Sequence, residues 1–359
     1  MNSLSARVAS LQSRPGLVRR ALAGLYGWFL SRRNRRFDTG GTTVTKVSCP
    51  VFSIGNLTVG GTGKTPMVAW LTDALLRSGR RPAIVSRGYG GHWTKSRREP
   101  GVVSDGQGIR MGSGEAGDEP VMLAQQNPEA IVVVARRRAE GARLAIEGLG
   151  ADAVILDDGF QHRFLARNLD LVMLDARAPF GNGFLLPAGP LREPPESLAR
   201  ADVVVLNHAE DVADLSDLEG RVRELAPEAL VCHAGYTVLG LRRPDGESLP
   251  SEELRGKRVM IFSGLANPGG FRRTIESCGA EVVAERLFPD HYDYRGGEVR
   301  EVREQFRKVS AELLVTSAKD AARLTRFLEG DPPVLALEIE LEIGSGREEL
   351  LGSVREVIG

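Results

Sequence analysis

The chain contains, between residues 51 and 66, the run Val51-Phe-Ser-Ile-Gly-Asn-Leu-Thr-Val-Gly-Gly-Thr-Gly-Lys-Thr-Pro66. Its apolar start predicts a buried strand, its glycine-dense middle predicts a turn, and Pro66 suits the first turn of a helix. A strand, a glycine-rich turn ending in Gly-Lys-Thr and a helix make, in this order, a phosphate-binding loop, because glycines let backbone N–H groups turn toward phosphate oxygens. The stretch therefore predicts a nucleotide site in an α/β fold.

The loop itself supplies the predicted nucleotide contacts. In this motif the lysine, Lys64, reaches the terminal phosphates, and the hydroxyl of Thr65 sits on Mg²⁺. A generic phosphate-binding loop has glycine where this chain has Thr58. The competing interpretation is a glycine-rich turn that binds nothing. The residues predicted to hold the nucleotide are Thr58, Val59, Gly60, Gly61, Thr62, Gly63, Lys64 and Thr65.

Composition narrows the class of protein. The length of 359 residues leaves room for two domains. The chain has 47 basic and 47 acidic side chains, so no overall charge points to a nucleic-acid partner. Its three cysteines, Cys49, Cys232 and Cys278, are scattered and odd in number. They favour a reducing compartment and argue against a disulfide framework.

Residues 1–37 form a basic arm with eight arginines and no acidic residue. Within it Val18, Leu22, Leu25 and Phe29 recur at helical spacing. The apolar run 21–30 is shorter than the ~20 residues needed to span a bilayer. The pattern predicts an amphipathic helix that lies on an anionic membrane surface. The alternative is a core helix followed by a solvated basic tail.

Charged residues flank three further apolar segments. The strand predicted at 153–156 ends in Asp157 and Asp158, and a carboxylate at that tip would face Thr65 and order Mg²⁺. Arg87 follows a second predicted strand, where it could hold a phosphate or form an ion pair in its own loop. Asp118, with Glu119, precedes a helical pattern, where acids either complement the helix dipole or serve phosphoryl transfer.

Alternation of buried strands and helices predicts a mostly parallel sheet covered on both faces. We expect a phosphate-loop core over 38–240, and a linker with a second, smaller α/β domain over 241–359. The polar, glycine-rich residues 92–114 predict a loop. His291, beside Asp290, lies in a predicted loop of the second domain, where a solvent-exposed and a catalytic histidine are both open.

A series of motifs in this order resembles the tetraacyldisaccharide 4′-kinases of lipid A biosynthesis, over essentially the whole chain. The segment Thr316-Ser-Ala-Lys-Asp320 departs from the more usual Thr-Glu-Lys-Asp of that family, with Ala318 near the place of its acid. The motifs are Ser53 to Pro66, Ser86-Arg-Gly-Tyr-Gly-Gly91, Gly117-Asp-Glu-Pro120, Asp157-Asp-Gly-Phe-Gln-His162, Leu186-Pro-Ala-Gly-Pro-Leu-Arg-Glu-Pro194 and Phe288-Pro-Asp-His-Tyr292.

The resemblance implies a two-domain kinase, peripheral or monotopic, on the cytoplasmic face of a Gram-negative inner membrane. It would use ATP and Mg²⁺ to phosphorylate the 4′-hydroxyl of tetraacyldisaccharide 1-phosphate. Asp118 becomes the catalytic base with His291 as its partner, together with Lys64. The resemblance implies metal coordination and nucleotide handling by Glu119, Asp157, Asp158 and Gln161, and contacts to substrate or its phosphates by Arg87, Asn56 and Arg192.

The rival prediction is a membrane-recruited ATPase switch of the partitioning type. Such proteins also carry Gly-Gly-x-Gly-Lys-Thr and a membrane helix. They typically place a lysine where this chain has Val59, and they need no separate Asp/His pair. Phosphate transferred to lipid would indicate the kinase, and release of free phosphate alone would indicate the switch.

Overall fold

The computed structural model describes residues 15–265, 267–289, 292, 294–324 and 327–359. They divide into two compact units, a core unit of residues 15–235 with 341–359, and a second unit of residues 236–340. The expected boundary at 240 had assigned all later residues to the second domain. The chain instead returns to the core unit, because the main chain of His233 exchanges hydrogen bonds with Gly344 and Ser345, at 2.9 and 3.1 Å.

The core unit is built on a parallel sheet, which confirms the predicted α/β class. Its strand order is β8-β7-β6-β1-β5-β2-β4-β3, and only β3 runs antiparallel to its neighbour. Strands β1, β2, β4 and β5 are buried at every position, as expected of a parallel sheet covered on both faces. The strands are β1 Val51–Asn56, β2 Pro82–Ser86, β3 Gly101–Asp105, β4 Ile131–Val134, β5 Ala153–Asp157, β6 Leu169–Asp175, β7 Val203–Asn207 and β8 Leu230–Arg242.

Helices connect these strands. Helix α2 packs against β1, β2 and β5, and its apolar side chains at helical spacing are buried. Helix α5 packs against both β4 and α2. The helices up to β8 are α1 Leu17–Asp38, α2 Lys64–Arg77, α3 Trp93–Ser96, α4 Ser113–Ala116, α5 Asp118–Gln126, α6 Arg138–Arg143, which continues as the π-helical turn Leu144–Gly148, and α7 Ser216–Leu225, with short 3₁₀ turns at Pro195–Arg200 and Ala209–Asp211.

The prediction of a loop over 92–114 is wrong for α3, β3 and α4. The apolar part of β3 is only Val102-Val103, too short to give a strand signal on its own. Val103 is nevertheless fully buried, because β3 pairs with the edge of β4. Residues 101–105 form a strand because they pair with β4, and their local sequence alone does not predict it.

The second unit is another α/β layer structure with the parallel order β11-β10-β12-β13. Alternate residues of β10 face opposite sides: Val259 and Ile261 pack with Phe271 of one helix, and Met260 packs with Val299 of another. Its elements are β9 Ser248–Leu249, the 3₁₀ turn Ser251–Leu254, β10 Arg258–Ser263, α8 Pro268–Ser277, β11 Glu281–Leu287, α9 Gly296–Lys308, β12 Leu313–Ser317, α10 Ala318–Leu324 and β13 Val334–Ile343, followed in the core unit by α11 Arg347–Ile358.

Helix α1 has an exposed apolar face. Its buried residues are Ala23 and Leu30, on the side opposite that face. Among the described helices, none has both the length and the apolar character needed to cross a bilayer. The exposed residues are Leu17, Val18, Leu22, Leu25, Trp28 and Phe29.

Candidate active site

The phosphate-binding loop runs from the end of β1 to the first turn of α2. Gly55 lies so close to Phe160 that any side chain at residue 55 would overlap it. Gly63 precedes α2 with a φ of 88°, a left-handed conformation that glycine adopts without strain. Lys64 and Thr65 therefore occupy the first turn of α2, where the helix dipole favours an anion.

The first half of the loop lies along the segment that precedes Arg192. Thr58, which replaces the generic glycine, is buried and forms an antiparallel bridge with Leu191. The N–H of Val59 donates to the carbonyl of Pro190 at 2.8 Å. Gly60 follows with a φ of 123°, and no atom lies within 4 Å of the place that a side chain would occupy. The pairing with Leu191 thus fixes the position of Thr58, and the glycines that follow Thr58 form the turn.

The second half of the loop is held through Thr62. Its hydroxyl accepts a hydrogen bond from Asn56 Nδ2 at 2.8 Å, and its carbonyl accepts one from Asn207 Nδ2 at 3.2 Å. Asn56 is fully buried, and its carbonyl accepts a bond from Gln161 Nε2 at 2.8 Å. In this arrangement Asn56, which the resemblance assigns to substrate binding, braces the loop. Sequence reasoning missed Asn207, whose only signal is its place at the carboxyl end of β7.

Lys64, Asp158 and Arg192 form a charged group at the mouth of the loop. Lys64 Nζ lies 3.6 Å from Asp158 Oδ1, and Arg192 Nη1 donates to both oxygens of Asp158 at 2.8 Å. Burial alone would raise the pKa of Asp158, but the charges of Lys64 and Arg192 outweigh it and lower that pKa. Asp158 adopts a φ of 53°, which turns the chain directly after β5. These residues, predicted from separate motifs, do come together.

Asp157 ends β5 beside the loop strand, in register with Ile54 of β1. Its carboxylate is buried and accepts a hydrogen bond from the hydroxyl of Ser86 at 2.7 Å. Burial and the charge of Glu119 raise the pKa of Asp157 from 3.8 to about 6. Arg138, also buried, donates to the carbonyl of Asp157 at 3.2 Å. Arg138 was missed, although a run of three arginines directly after β4 was a usable signal.

Asp118 and Glu119 lie in the first turn of α5. Before them Gly117, with a φ of 94°, approaches the carbonyl of Tyr89 so closely that a side chain would overlap it. The loop that follows β2 therefore packs against the start of α5. In that loop Arg87 is exposed, and its guanidinium donates to the hydroxyl of Tyr89 at 3.1 Å.

His291, with Asp290, lies outside the described residues, so its pairing with Asp118 stays a prediction. Within the described ranges, no group of three or more His, Cys, Asp and Glu side chains is arranged to hold a metal by itself. Mg²⁺ is usually held by one or two carboxylates together with water and substrate phosphates. The buried Asp157 beside the charge of Glu119 fits that requirement, because a cation would offset their mutual repulsion.

The chain is similar to known proteins over almost its whole length. The family model described as tetraacyldisaccharide-1-P 4′-kinase matches residues 17–358. A tetraacyldisaccharide 4′-kinase of Anaeromyxobacter sp. (strain Fw109-5) is 46% identical over 92% of this chain and 88% of the relative. One of Chlorobium luteolum is 41% identical over 90% of each chain.

A solved structure gives the same result at the level of the fold. The crystal structure of LpxK from Aquifex aeolicus in complex with ATP superposes with a TM-score of 0.74 at 32% identity. The match covers 94% of this chain and 98% of the Aquifex aeolicus chain. With its phosphate-binding loop, its charged group and these matches, the chain belongs to the tetraacyldisaccharide-1-P 4′-kinase family.

Proposed function

We propose that this kinase transfers the γ-phosphate of ATP to the 4′-hydroxyl of tetraacyldisaccharide 1-phosphate in lipid A biosynthesis. The observation that carries the proposal is the charged group Lys64, Asp158 and Arg192 at the mouth of a phosphate-binding loop. Family membership supports the substrate, and the ATP bound to the relative from Aquifex aeolicus supports the phosphate donor.

In the proposed reaction the core unit holds the triphosphate. The loop amides and the N-terminus of α2 bind phosphate oxygens, and Lys64 spreads the negative charge that develops on the transferred group. Arg192 and Arg87 bind further oxygens of the ligand phosphates. A sugar hydroxyl is a poor nucleophile, so Asp118 accepts its proton, with His291 as partner.

The residues fit a magnesium ion. Thr65, Asp157, Asp158, Glu119 and Gln161 are the residues that would hold it, directly or through water. When bound, Mg²⁺ supplies charge neutralisation at the β- and γ-phosphates. Asp157 is the strongest of these candidates, because its buried carboxylate stands at the strand tip directly beside the loop strand.

A transfer assay tests the proposal. The protein is incubated with γ-labelled ATP and tetraacyldisaccharide 1-phosphate in mixed micelles, and label on lipid is compared with free phosphate. We expect label on lipid, and we expect Asp118→Asn to lower its rate by about 10²–10⁴-fold, the usual contribution of a general base. ATP affinity should stay close to that of the unmodified chain. Free phosphate alone would instead favour the partitioning-type switch.

We further propose that the exposed face of α1 lies on the cytoplasmic surface of the inner membrane. Its apolar residues, followed by the exposed arginines at 32, 35 and 36, suit an anionic lipid surface, whose acyl chains also hold the substrate. Leu25→Glu should weaken sedimentation with vesicles that contain anionic lipid. Leu239→Glu is the matched control, because Leu239, at 57%, is as exposed as Leu25, at 54%, but belongs to the second unit. Equal sedimentation of both variants would refute the role of α1.

A further inference from the structure

The inner face of α1 contacts two segments that carry active-site residues. The hydroxyl of Tyr26 donates to the carbonyl of Arg192 at 3.0 Å. Arg33 Nη2 donates to the carbonyl of Gln161 at 3.1 Å. The side chains of Arg192 and Gln161 in turn reach Asp158 and the carbonyl of Asn56. The helix thus holds the main chain of residues whose side chains lie at the nucleotide loop.

Glu193 joins α1 to the segment behind Arg192. The carboxylate of Glu193 is fully buried, with Arg33 at 3.1 Å on one oxygen and Arg200 at 2.6 Å on the other. Breaking one partner of a buried ion pair is costly, since it leaves a charge uncompensated in a medium of low dielectric constant. Arg33 is the partner that α1 contributes, so the position of the helix and that of residue 193 depend on each other.

The segment held in this way is also part of the wall of the loop. The N–H of Arg192 donates to the carbonyl of Leu57 at 2.7 Å, next to the bridge between Thr58 and Leu191. A shift of the main chain at residue 192 would therefore move both the loop and the guanidinium that pairs with Asp158. The exposed apolar side chains of α1 play no part in these contacts, because they lie on its outer face.

We propose that Tyr26 and Arg33 are positioning residues for phosphoryl transfer, acting through Glu193 and the main chain of Arg192 on the Lys64–Asp158 pair. The inference rests on the proposed function. Helix α1 then has two separate roles, since its outer face meets the lipid and its inner face fixes the geometry in which ATP is held. Small displacements of groups that position a reacting phosphate are expensive in rate.

Two substitutions on α1 and one matched control test this. Arg33→Met removes both of its hydrogen bonds, and Tyr26→Phe removes one hydroxyl. Asp38→Asn is the control, because Asp38 pairs with Arg163 at 2.6 Å and so anchors the same helix without touching Arg192 or Glu193. We expect kcat/KM for ATP to fall about tenfold in Arg33→Met and about threefold in Tyr26→Phe, and to change less than about twofold in Asp38→Asn.

Two further readouts separate positioning from membrane attachment and from general weakening of the fold. Binding to anionic vesicles should be the same in all three variants, and a loss that parallels turnover would overturn the inference. In the Arg192→Ala background, Arg33→Met should have a smaller effect than in the unmodified chain, because the guanidinium that the shift would displace is already absent. The same fold-loss in that background as in the unmodified chain would overturn the inference that Arg33 acts through the guanidinium of Arg192.

Failure of the proposed function would look different. If the unmodified protein put no phosphate on the lipid disaccharide, the proposed reaction would be wrong. The positioning role would then be tested separately, by measuring the binding of a fluorescent ATP analogue. The dissociation constant should then rise about threefold in Arg33→Met and stay unchanged in Asp38→Asn. An unchanged constant in Arg33→Met would overturn the positioning role.

Discussion

Asp157, the last residue of β5, and Asp320, in the first turn of α10 after β12, are buried carboxylates, one in each unit, and their surroundings differ. Asp320, fully buried, accepts hydrogen bonds from the N–H of Gly264 at 3.1 Å, the hydroxyl of Ser317 at 2.6 Å and the hydroxyl of Tyr294 at 3.0 Å. Asp157 accepts one from Ser86, and its pKa is raised by burial and by the charges of Glu119 and Asp158, which outweigh the lowering by Lys64. One acid is surrounded by donors, and the other is crowded by like charge.

We propose that this difference separates a structural acid, Asp320, from a functional one, Asp157. The donors around Asp320 come from the loop after β10, the end of β12 and the segment before α9, so that carboxylate ties these segments together. Burial and the charge of Asp320 raise the pKa of Tyr294, which keeps its hydroxyl protonated and able to donate. An acid crowded by like charge destabilises the folded chain unless a cation or ligand joins it, and such groups concentrate at active sites.

The largest expected effect is on turnover in Asp157→Asn. We expect phosphate transfer to fall by about 10²–10³-fold, the size found when one preorganised electrostatic contact to a transition state is removed. An asparagine can still accept the hydrogen bond from Ser86, so the fold should be kept. Transfer rates and thermal unfolding, measured side by side, check this. Near-normal transfer would remove Asp157 from the magnesium and phosphate chemistry.

The second effect is the contribution of Asp157 to the pH dependence of stability. Its pKa is about 6 in the folded chain, against an ordinary value of 3.8. Between pH 3.8 and about pH 6 the carboxyl group of Asp157 holds its proton more tightly in the folded state than in the unfolded state. The free energy of unfolding therefore decreases as pH rises through this range. The loss is complete above the folded pKa and amounts to about 3 kcal/mol, at 1.36 kcal/mol for each unit of pKa shift.

Tryptophan fluorescence makes that measurement specific to the core unit, which contains Trp28, Trp70 and Trp93, all the tryptophans of the chain. Urea unfolding of the unmodified chain and of Asp157→Asn is compared from about pH 4 to 8 without nucleotide or Mg²⁺. The difference between the two curves isolates Asp157 from other buried acids such as Asp170, whose pKa burial also raises. A difference that does not change with pH would contradict the prediction.

The third effect belongs to the second unit. Asp320→Asn replaces a charged acceptor of three hydrogen bonds, and we expect it to cost about 1–3 kcal/mol in unfolding free energy. Hydrogen exchange of β10 and β12 should accelerate, while the tryptophan signal of the core unit keeps its midpoint. A loss of ATP binding with unchanged exchange would mean that Asp320, too, serves the ligand.

The structure and role of residues that lie within a strong sequence pattern could be predicted from the sequence. The run 51–66 gave strand, loop and helix because the strand, the glycines and Pro66 act locally, and the acid at 157 follows from a second apolar strand. The partners of these residues were not predictable, since Ser86, Arg138 and Glu193 reach the site across tens of residues of chain. The resemblance named Arg192 and Gln161, but no pattern in the sequence indicates that α1 holds them.

The smallest expected effect is that of replacing the serines that donate to Asp157 and Asp320. Ser86 Oγ lies 2.7 Å from Asp157 and Ser317 Oγ lies 2.6 Å from Asp320, so each alanine substitution removes one short hydrogen bond to a carboxylate, worth about 1 kcal/mol. Ser317→Ala also removes the bond that the hydroxyl accepts from the N–H of Asp320 at 3.1 Å. The bond from Ser86 lowers the pKa of Asp157, so its loss raises that pKa further. Ser86→Ala should therefore lower turnover more at about pH 6.5 than at about pH 8, because less of Asp157 is ionised at the lower pH.

Ser317→Ala should destabilise the second unit and leave the pH profile of turnover unchanged. The ratio of the rates at the two pH values, measured on both variants with the same enzyme concentration, gives the comparison without needing absolute activities. A shared profile would mean that both acids play the same kind of role. A shift confined to Ser86→Ala would place the titrating carboxylate of the reaction at the end of β5, since Ser86 donates to Asp157, whose pKa is raised to about 6.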